Sequence, residues 1–166
     1  MARTQESPGT RLRALWTRLS RLPGGRWIFS KILGWMVPYT GKLGATILTL
    51  EPGHVKARLH ERKAVRNHLR SIHAIALANL GELTTGLALV GALPKSIRGI
   101  LVGLEISYTK KARGTIESEA TCEIPEITEP VDYPVEAEIR DDSGDVVARV
   151  RAHWRLGPAL DKQAPR

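Results

Sequence analysis

The chain has 166 residues, of which 42% are apolar and 25% charged, so a disordered or fibrous protein is excluded. This length is typical of one domain, and the single cysteine, Cys122, cannot form an intrachain disulfide. The sequence therefore predicts a cytoplasmic protein. Its net charge of +8 is concentrated in residues 1 to 40, where seven Lys or Arg accompany one acid. Because the remainder is nearly neutral and only 5% of residues are aromatic, we expect no nucleic-acid partner.

Two helices are predicted before the first strand. Residues 11 to 22 place five apolar side chains on one helical face, with arginines around the rest: Leu12, Leu15, Trp16, Leu19 and Leu22. We favour packing of this face on its own domain or on a dimer partner, and the alternative is a peripheral membrane contact through residues 11–22. Residues 26 to 37 are apolar on most of the helix circumference, so this helix should dock on something.

From Gly44 onward the apolar period changes to two, which predicts strands. Six strands are expected, at residues 45–50, 55–60, 99–110, 115–124, 134–140 and 146–156. The longest is predicted to place one set of apolar side chains on a common face: Ile100, Val102, Leu104, Ile106 and Tyr108. Turns at Arg113-Gly114 and at residues 141–144 would join the last three strands as an antiparallel meander.

The segment from Ile72 to Leu93 is long enough to span a membrane, but Glu82 near its centre favours a buried helix of a soluble protein. So apolar a helix must be covered on most of its surface, and a curved antiparallel sheet can wrap it. We therefore predict an α+β hotdog fold, in which a curved antiparallel sheet wraps a long central helix and a helical leader precedes it. The predicted divisions are a basic leader at 1–37, a hotdog domain at 38–157 and a flexible tail at 158–166.

Few residues suggest chemistry on their own. The sequence has no Cys/His cluster and no HExxH motif, so no metal site is expected. Glu82 is either a functional acid or an acid bonded to Thr85 or to an arginine of another strand. His73 lies in the first helical turn, where free N–H groups could stabilise an oxyanion, although a histidine bonded to backbone is the favoured interpretation. Asn67 could be a turn residue or a cap.

Residues 67 to 82 resemble the start of the central helix of hotdog-fold acyl-CoA thioesterases of the phenylacetic-acid (PaaI) type. That family has an Asn, a His six residues later that opens the helix, and an Asp or Glu nine residues after the His. Asn67, His73 and Glu82 match these spacings. The resemblance covers about residues 38 to 157, and it is greatest to an uncharacterised branch of hotdog proteins. The two glycines that usually follow the His are replaced here by Ala74 and Ile75.

The resemblance implies a hydrolase that acts on acyl-CoA or a related thioester without metal or cofactor, coenzyme A being part of the substrate. Glu82 would act as general base or nucleophile, and the N–H of Ala74 would stabilise the oxyanion. Asn67 and His73 would orient the water or the substrate. The family's site lies between two subunits, so a homodimer or a dimer of dimers is implied.

The phosphates of coenzyme A need cations, and the resemblance places Lys110, Lys111 and Arg113 where relatives bind the nucleotide. A solvated surface turn is the favoured alternative for these three residues. The alternative function is a non-catalytic hotdog domain that binds acyl-CoA as a ligand. The Ala74-Ile75 pair favours that alternative, whereas Glu82 favours the enzyme.

Overall fold

The computed structural model describes residues 8–159 of the chain. It contains four α-helices, α1 (Pro8–Leu19), α2 (Gly25–Met36), α3 (Pro38–Gly41) and α4 (Ala74–Ala92). It also contains six strands, β1 (Thr46–Glu51), β2 (His54–His60), β3 (Ile97–Tyr108), β4 (Thr115–Thr121), β5 (Val131–Asp141) and β6 (Val146–Pro158). A short 3₁₀ turn, Lys63–Val65, precedes α4. Every helix and strand expected from the sequence is present, whereas α3 and the 3₁₀ turn were not expected.

The six strands form one antiparallel sheet in the order β1-β2-β4-β5-β6-β3. The predicted meander is confirmed as β4-β5-β6, and β3 pairs with β6 as the last strand of the open sheet. Helix α4 contacts every strand of this sheet. The arrangement is the hotdog fold, with β1 and β3 as its two free edges.

The central helix α4 is thin on the side that faces the sheet. A Cβ added to Gly81 would overlap the side chain of Val150 on β6, so only glycine allows this approach. On the same helix Leu80 and Leu89 are fully buried. By length and composition α4 could cross a membrane, but 61% of the apolar window is buried inside the domain. The sheet therefore provides the apolar surroundings that this helix requires.

The five apolar side chains of β3 that were expected on one face lie on both faces of the sheet, and this corrects the sequence prediction. A β-bulge at Val102 shifts the register, since Leu101 pairs with Trp154 and Gly103 pairs with His153. Successive side chains alternate between faces, so one extra residue exchanges the two faces beyond the bulge. Leu104 consequently lies on the helix side of the sheet with Ala152, whereas Ile100 lies opposite Arg155 on the outer side.

The N-terminal helices share the core of the sheet domain. Phe29 of α2 is fully buried and meets Trp16 of α1 edge-on, with ring centroids 5.0 Å apart. The hydroxyl of Ser30 accepts a hydrogen bond of 2.8 Å from the N–H of Ile47 on β1. Leu12 is buried as well. Leu12, Leu15, Trp16 and Leu19 of the apolar face at residues 11–22 thus pack against the domain, as the favoured interpretation expected, whereas Leu22 is 56% exposed.

The last strand ends at the first residue of the expected tail. Strand β6 continues to Pro158, and the N–H of Ala159 donates to the carbonyl of Ser96 at 2.8 Å. The rest of the expected flexible tail, residues 160–166, lies outside the described residues.

Replacing Phe29 with alanine should destabilise the whole domain if α2 belongs to its core. Loss of a fully buried phenylalanine costs about 3–5 kcal/mol, measured as the free energy of unfolding in urea. The control is Trp35→Ala on the same helix, where an 83% exposed side chain should change stability by less than about 0.5 kcal/mol. Equal effects of the two variants would contradict the shared core.

Candidate functional site

The N-terminus of α4 presents one free backbone donor. His73 is the N-cap, and its Nδ1 accepts a hydrogen bond of 3.1 Å from the N–H of Ile75. The N–H groups of Ala76 and Leu77 bond to the carbonyl of His73. Within residues 8–159 the N–H of Ala74 has no hydrogen-bond partner. This group points out of the helix end, where the helix dipole favours negative charge.

Asn67 organises the loop that leads into α4. Its Oδ1 accepts hydrogen bonds from the N–H of Leu69 at 2.9 Å and from the N–H and hydroxyl of Ser71 at 3.2 Å each. The turn that these bonds close includes Arg70, which has a positive φ of 55°. The prediction of a turn residue is therefore confirmed. The Nδ2 group of Asn67 has no partner in the described part of the chain, so it is available to a ligand.

Glu82 is partly buried on α4, and burial raises the pKa of its carboxyl group. A Cβ on Gly86, one turn further on, would come within 3.7 Å of its Oε1 and 3.2 Å of the Trp154 ring. The hydroxyl of Thr85 donates to the backbone carbonyl of Glu82 and not to its carboxylate. No cation or hydroxyl among residues 8–159 bonds to that carboxylate, so this part of the chain does not pair it as a structural acid.

Two further side chains near α4 were not singled out from the sequence. The hydroxyl of Tyr108 on β3 donates to the carbonyl of Ala74 at 3.1 Å, which ties the strand to the helix start. Burial raises the pKa of Tyr108. The indole N–H of Trp154 is buried without a partner. Sequence periodicity can predict that such residues lie on the side of the sheet that faces the helix, but it does not show which helical residue they reach.

The candidate site divides into two parts in one chain. Ala74 and Glu82 are eight residues apart, which is about 12 Å along a helix that rises 1.5 Å per residue. A thioester carbonyl bound at Ala74 is therefore beyond the reach of Glu82 in the same chain. Asn67 and His73 belong to the Ala74 end of the site. His73 directly precedes Ala74, and its N–H donates to the carbonyl of Val65, two residues before Asn67.

The three predicted phosphate-binding cations differ in how free they are. The Nζ of Lys110 lies between Asp141 and Asp145, at 2.6 and 2.7 Å, and these carboxylates raise the pKa of the lysine. Arg113 makes one hydrogen bond in the described chain, from Nε to the carbonyl of Arg70 at 3.3 Å, and its charge helps to lower the pKa of Glu61. Lys111 is exposed and has no ion-pair partner among residues 8–159. Positive charge is therefore available from Lys111 and Arg113 rather than from Lys110.

Among residues 8–159 no group of three His, Cys, Asp or Glu side chains is placed to hold a metal ion. The groups that could take part in a reaction are a carboxyl group of raised pKa and a free helix-terminal N–H. The carboxyl group is suited to promote attack on a carbonyl, and the N–H is suited to stabilise the resulting oxyanion.

A family model described as a domain of unknown function, DUF4442, matches residues 25–156. The chain belongs to the DUF4442 family. The match starts at the first residue of α2, so the family domain includes this helix as well as the sheet. No curated protein matches the sequence.

Solved structures with the same fold are numerous. A crystal structure of a genomics protein, APC5556, is 24% identical, covers 90% of this chain and 99% of its own, and superposes with a TM-score of 0.78. A Pseudomonas aeruginosa protein described as a probable thioesterase is 24% identical, covers 83% and 97%, and has a TM-score of 0.72. A phenylacetic acid degradation-related protein from Ralstonia eutropha is 19% identical, covers 71% and 89%, and has a TM-score of 0.60. At these identities the likeness establishes the hotdog fold.

The raised pKa of Glu82 predicts how its replacement by glutamine changes stability with pH. The folded chain holds this proton to a higher pH than the unfolded chain, so Glu82 costs stability progressively as the pH rises above its unfolded pKa, and in full above its folded pKa. We expect Glu82→Gln to be more stable than the parent protein at pH 8, with the difference vanishing below a pH of about 4. Urea unfolding of both proteins across this range measures it. A less stable glutamine variant at pH 8 would mean that the carboxylate has a cationic partner.

Proposed function

We propose that this protein hydrolyses acyl-CoA or a related acyl thioester, at a site shared by two subunits. The observation that carries the proposal is that one helix holds both a Glu82 carboxyl group without a partner and a free Ala74 N–H. The matched spacing of Asn67, His73 and Glu82 supports it, as do structural neighbours that are described as thioesterases.

The chemistry needs one base and one oxyanion donor. The Glu82 carboxylate takes a proton from water, and the hydroxide oxygen adds to the thioester carbonyl. Negative charge then develops on the carbonyl oxygen, which accepts the hydrogen bond from the Ala74 N–H. When the carbon–sulfur bond breaks, the proton on Glu82 passes to the sulfur, which leaves a carboxylic acid and a free thiol. Direct attack by Glu82 on the carbonyl is the alternative route, through an anhydride that water hydrolyses.

The distance of about 12 Å along α4 supports a site built from two subunits. Glu82 of one chain would face the partner's Ala74 and the partner's Asn67, whose free Nδ2 would orient the water or the acyl group. Strand β3 is the natural contact, because it is a free edge with exposed apolar side chains on either side of the bulge: Ile100, Val102, Leu104 and Tyr108.

Coenzyme A would bind with its phosphates at the loop after β3. Lys111 and Arg113 are the cations with free hydrogen-bonding capacity there. Lys110 is held by two carboxylates, and a phosphate would have to displace one of them. We therefore propose Lys111 and Arg113 as the phosphate contacts.

The second candidate function is binding of acyl-CoA without turnover. It is favoured by the N-terminus of α4, where the Ile75 N–H is already bonded to His73 and only one free donor remains. A panel of acyl-CoAs assayed for thiol release distinguishes the two functions, with binding measured on the same preparations by calorimetry. Tight binding with no thiol release would support the ligand-binding domain.

Two substitutions test the two chemical groups separately. Glu82→Gln keeps the shape but removes the basicity, and turnover per folded molecule should fall by about 100- to 10,000-fold. Ala74→Pro removes only an N–H, since proline is favoured at the first helical position and His73 already has a ψ of 140°. This variant should keep its melting temperature and lose about 100- to 1,000-fold in turnover.

The matched controls are Ala74→Gly and Glu136→Gln. The glycine variant keeps the N–H of the parent protein, and Glu136 lies in an exposed ion pair with Arg151 on the outer sheet face. Both should retain turnover within about threefold. If Ala74→Pro or Glu82→Gln behaves like these controls, the corresponding group has no part in hydrolysis.

Mixing the two inactive variants tests the shared site. A heterodimer of Glu82→Gln and Ala74→Pro chains contains one site with both native groups and one site with neither. After random reassortment half of the dimers are heterodimers, so about a quarter of the parent activity should return. A site built within one chain predicts no gain over the separate variants, and a chain that remains an active 18.3 kDa monomer in sedimentation would also exclude sharing.

A further inference from the structure

The outer face of α2 carries exposed tryptophans. Trp27, Lys31 and Trp35 follow one another at intervals of four residues, on the side of the helix opposite to the buried Phe29 and Leu33. Trp27 is 59% exposed and Trp35 is 83% exposed. The sequence predicted a helix that is apolar on most of its circumference and docks on something, but the domain covers only one side of it. The other side therefore lacks a partner within residues 8–159.

Helix α3 extends this surface with a further aromatic ring. Tyr39 is 74% exposed, and Met36 and Val37 beside it are exposed as well. The two helices contact through their backbones, since a Cβ on Gly34 would lie 3.1 Å from the Cα of Gly41. We call the exposed residues of α2 and α3 the aromatic face, which comprises Trp27, Ile28, Lys31, Trp35, Met36, Val37 and Tyr39.

The aromatic face lies in a wholly basic part of the chain. Residues 8 to 50 contain no Asp or Glu and seven cations: Arg11, Arg13, Arg18, Arg21, Arg26, Lys31 and Lys42. None of these side chains takes part in an ion pair found in the described residues. The Nζ of Lys31 lies 5.4 Å from the centre of the Trp27 ring. The charge therefore remains available to an anionic surface.

Aromatic rings among unpaired cations match the chemistry of a bilayer surface. Tryptophan and tyrosine rings are stable at the level of lipid headgroups, where one end of the ring is apolar and the other is hydrated. Lysine and arginine stems extend past such rings, so that their charges reach lipid phosphates. The face also lies beside β1, whereas the proposed subunit contact uses β3 at the opposite edge of the sheet.

We propose that the aromatic face docks this protein on membranes that contain anionic phospholipids. The contact is peripheral, because the opposite side of α2 remains packed in the protein core. It lies apart from the membrane contact that the sequence offered as an alternative through residues 11–22, where most of the apolar face packs against the domain.

Vesicle binding of the full-length protein tests the proposal. The parent protein should co-sediment with vesicles of phosphatidylcholine and phosphatidylglycerol and bind weakly to phosphatidylcholine alone. Trp27→Gln with Trp35→Gln should reduce partitioning by about tenfold or more on both vesicle types. Lys31→Gln should reduce it by about fivefold on the anionic vesicles only, as expected for one cation near the surface.

The control removes an apolar and a basic side chain elsewhere, with Val131→Gln and Lys95→Gln, both at exposed positions. This control should bind vesicles like the parent protein. Equal binding by the double tryptophan variant and the parent would overturn the proposal. So would a change in sedimentation of that variant without lipid, which would identify the face as a contact between copies of the chain. Thiol release from soluble acyl-CoA by the variant is measured in parallel, so failure of docking is distinguished from failure of the proposed hydrolysis.

Discussion

The fold depends on the close approach of β6 to the central helix. At Gly81 the strand side chain of Val150 occupies the space that a Cβ would take, so helix and sheet meet at nearly backbone distance. This approach lets one sheet curve around a helix that is apolar on most of its surface. It also fixes which helical side chains remain outside the sheet. Glu82, the next residue, is only partly buried, and its Oε1 lies beside Gly86 one turn further on.

An unpaired carboxyl group inside an apolar helix is costly to a fold, and α4 offers it no compensation within one chain. The N-terminus and the middle of the helix differ in what they lack. The N-terminus has a donor without an acceptor, and the middle has an acceptor without a donor. In the proposed dimer, two antiparallel copies would place each unsatisfied group opposite the other kind. A substrate carbonyl and a water molecule placed between them would satisfy both.

The sequence predicted the strands and the central helix well because their apolar periods are local properties. The same periodicity failed at β3, since a single bulged residue, Val102, exchanges the faces and leaves no mark in the alternation. Lys110 illustrates the other limit: its two carboxylate partners come from the turn between β5 and β6, about 30 residues away along the chain. The division of α2 into a buried and an exposed side was likewise invisible in a helix that is apolar all round.

The bulge in β3 has a consequence for how the chain avoids aggregation. A long, flat edge strand can pair with any extended segment, and repeated pairing leads to fibres. Val102 breaks the ladder near the middle of the edge, so the strand offers two short segments whose registers differ by one residue. An incoming strand without a matching bulge would lose its register at Val102. Repeated edge-to-edge pairing of sheets is thereby disfavoured, whereas a closed pair of identical chains needs only one of the two segments.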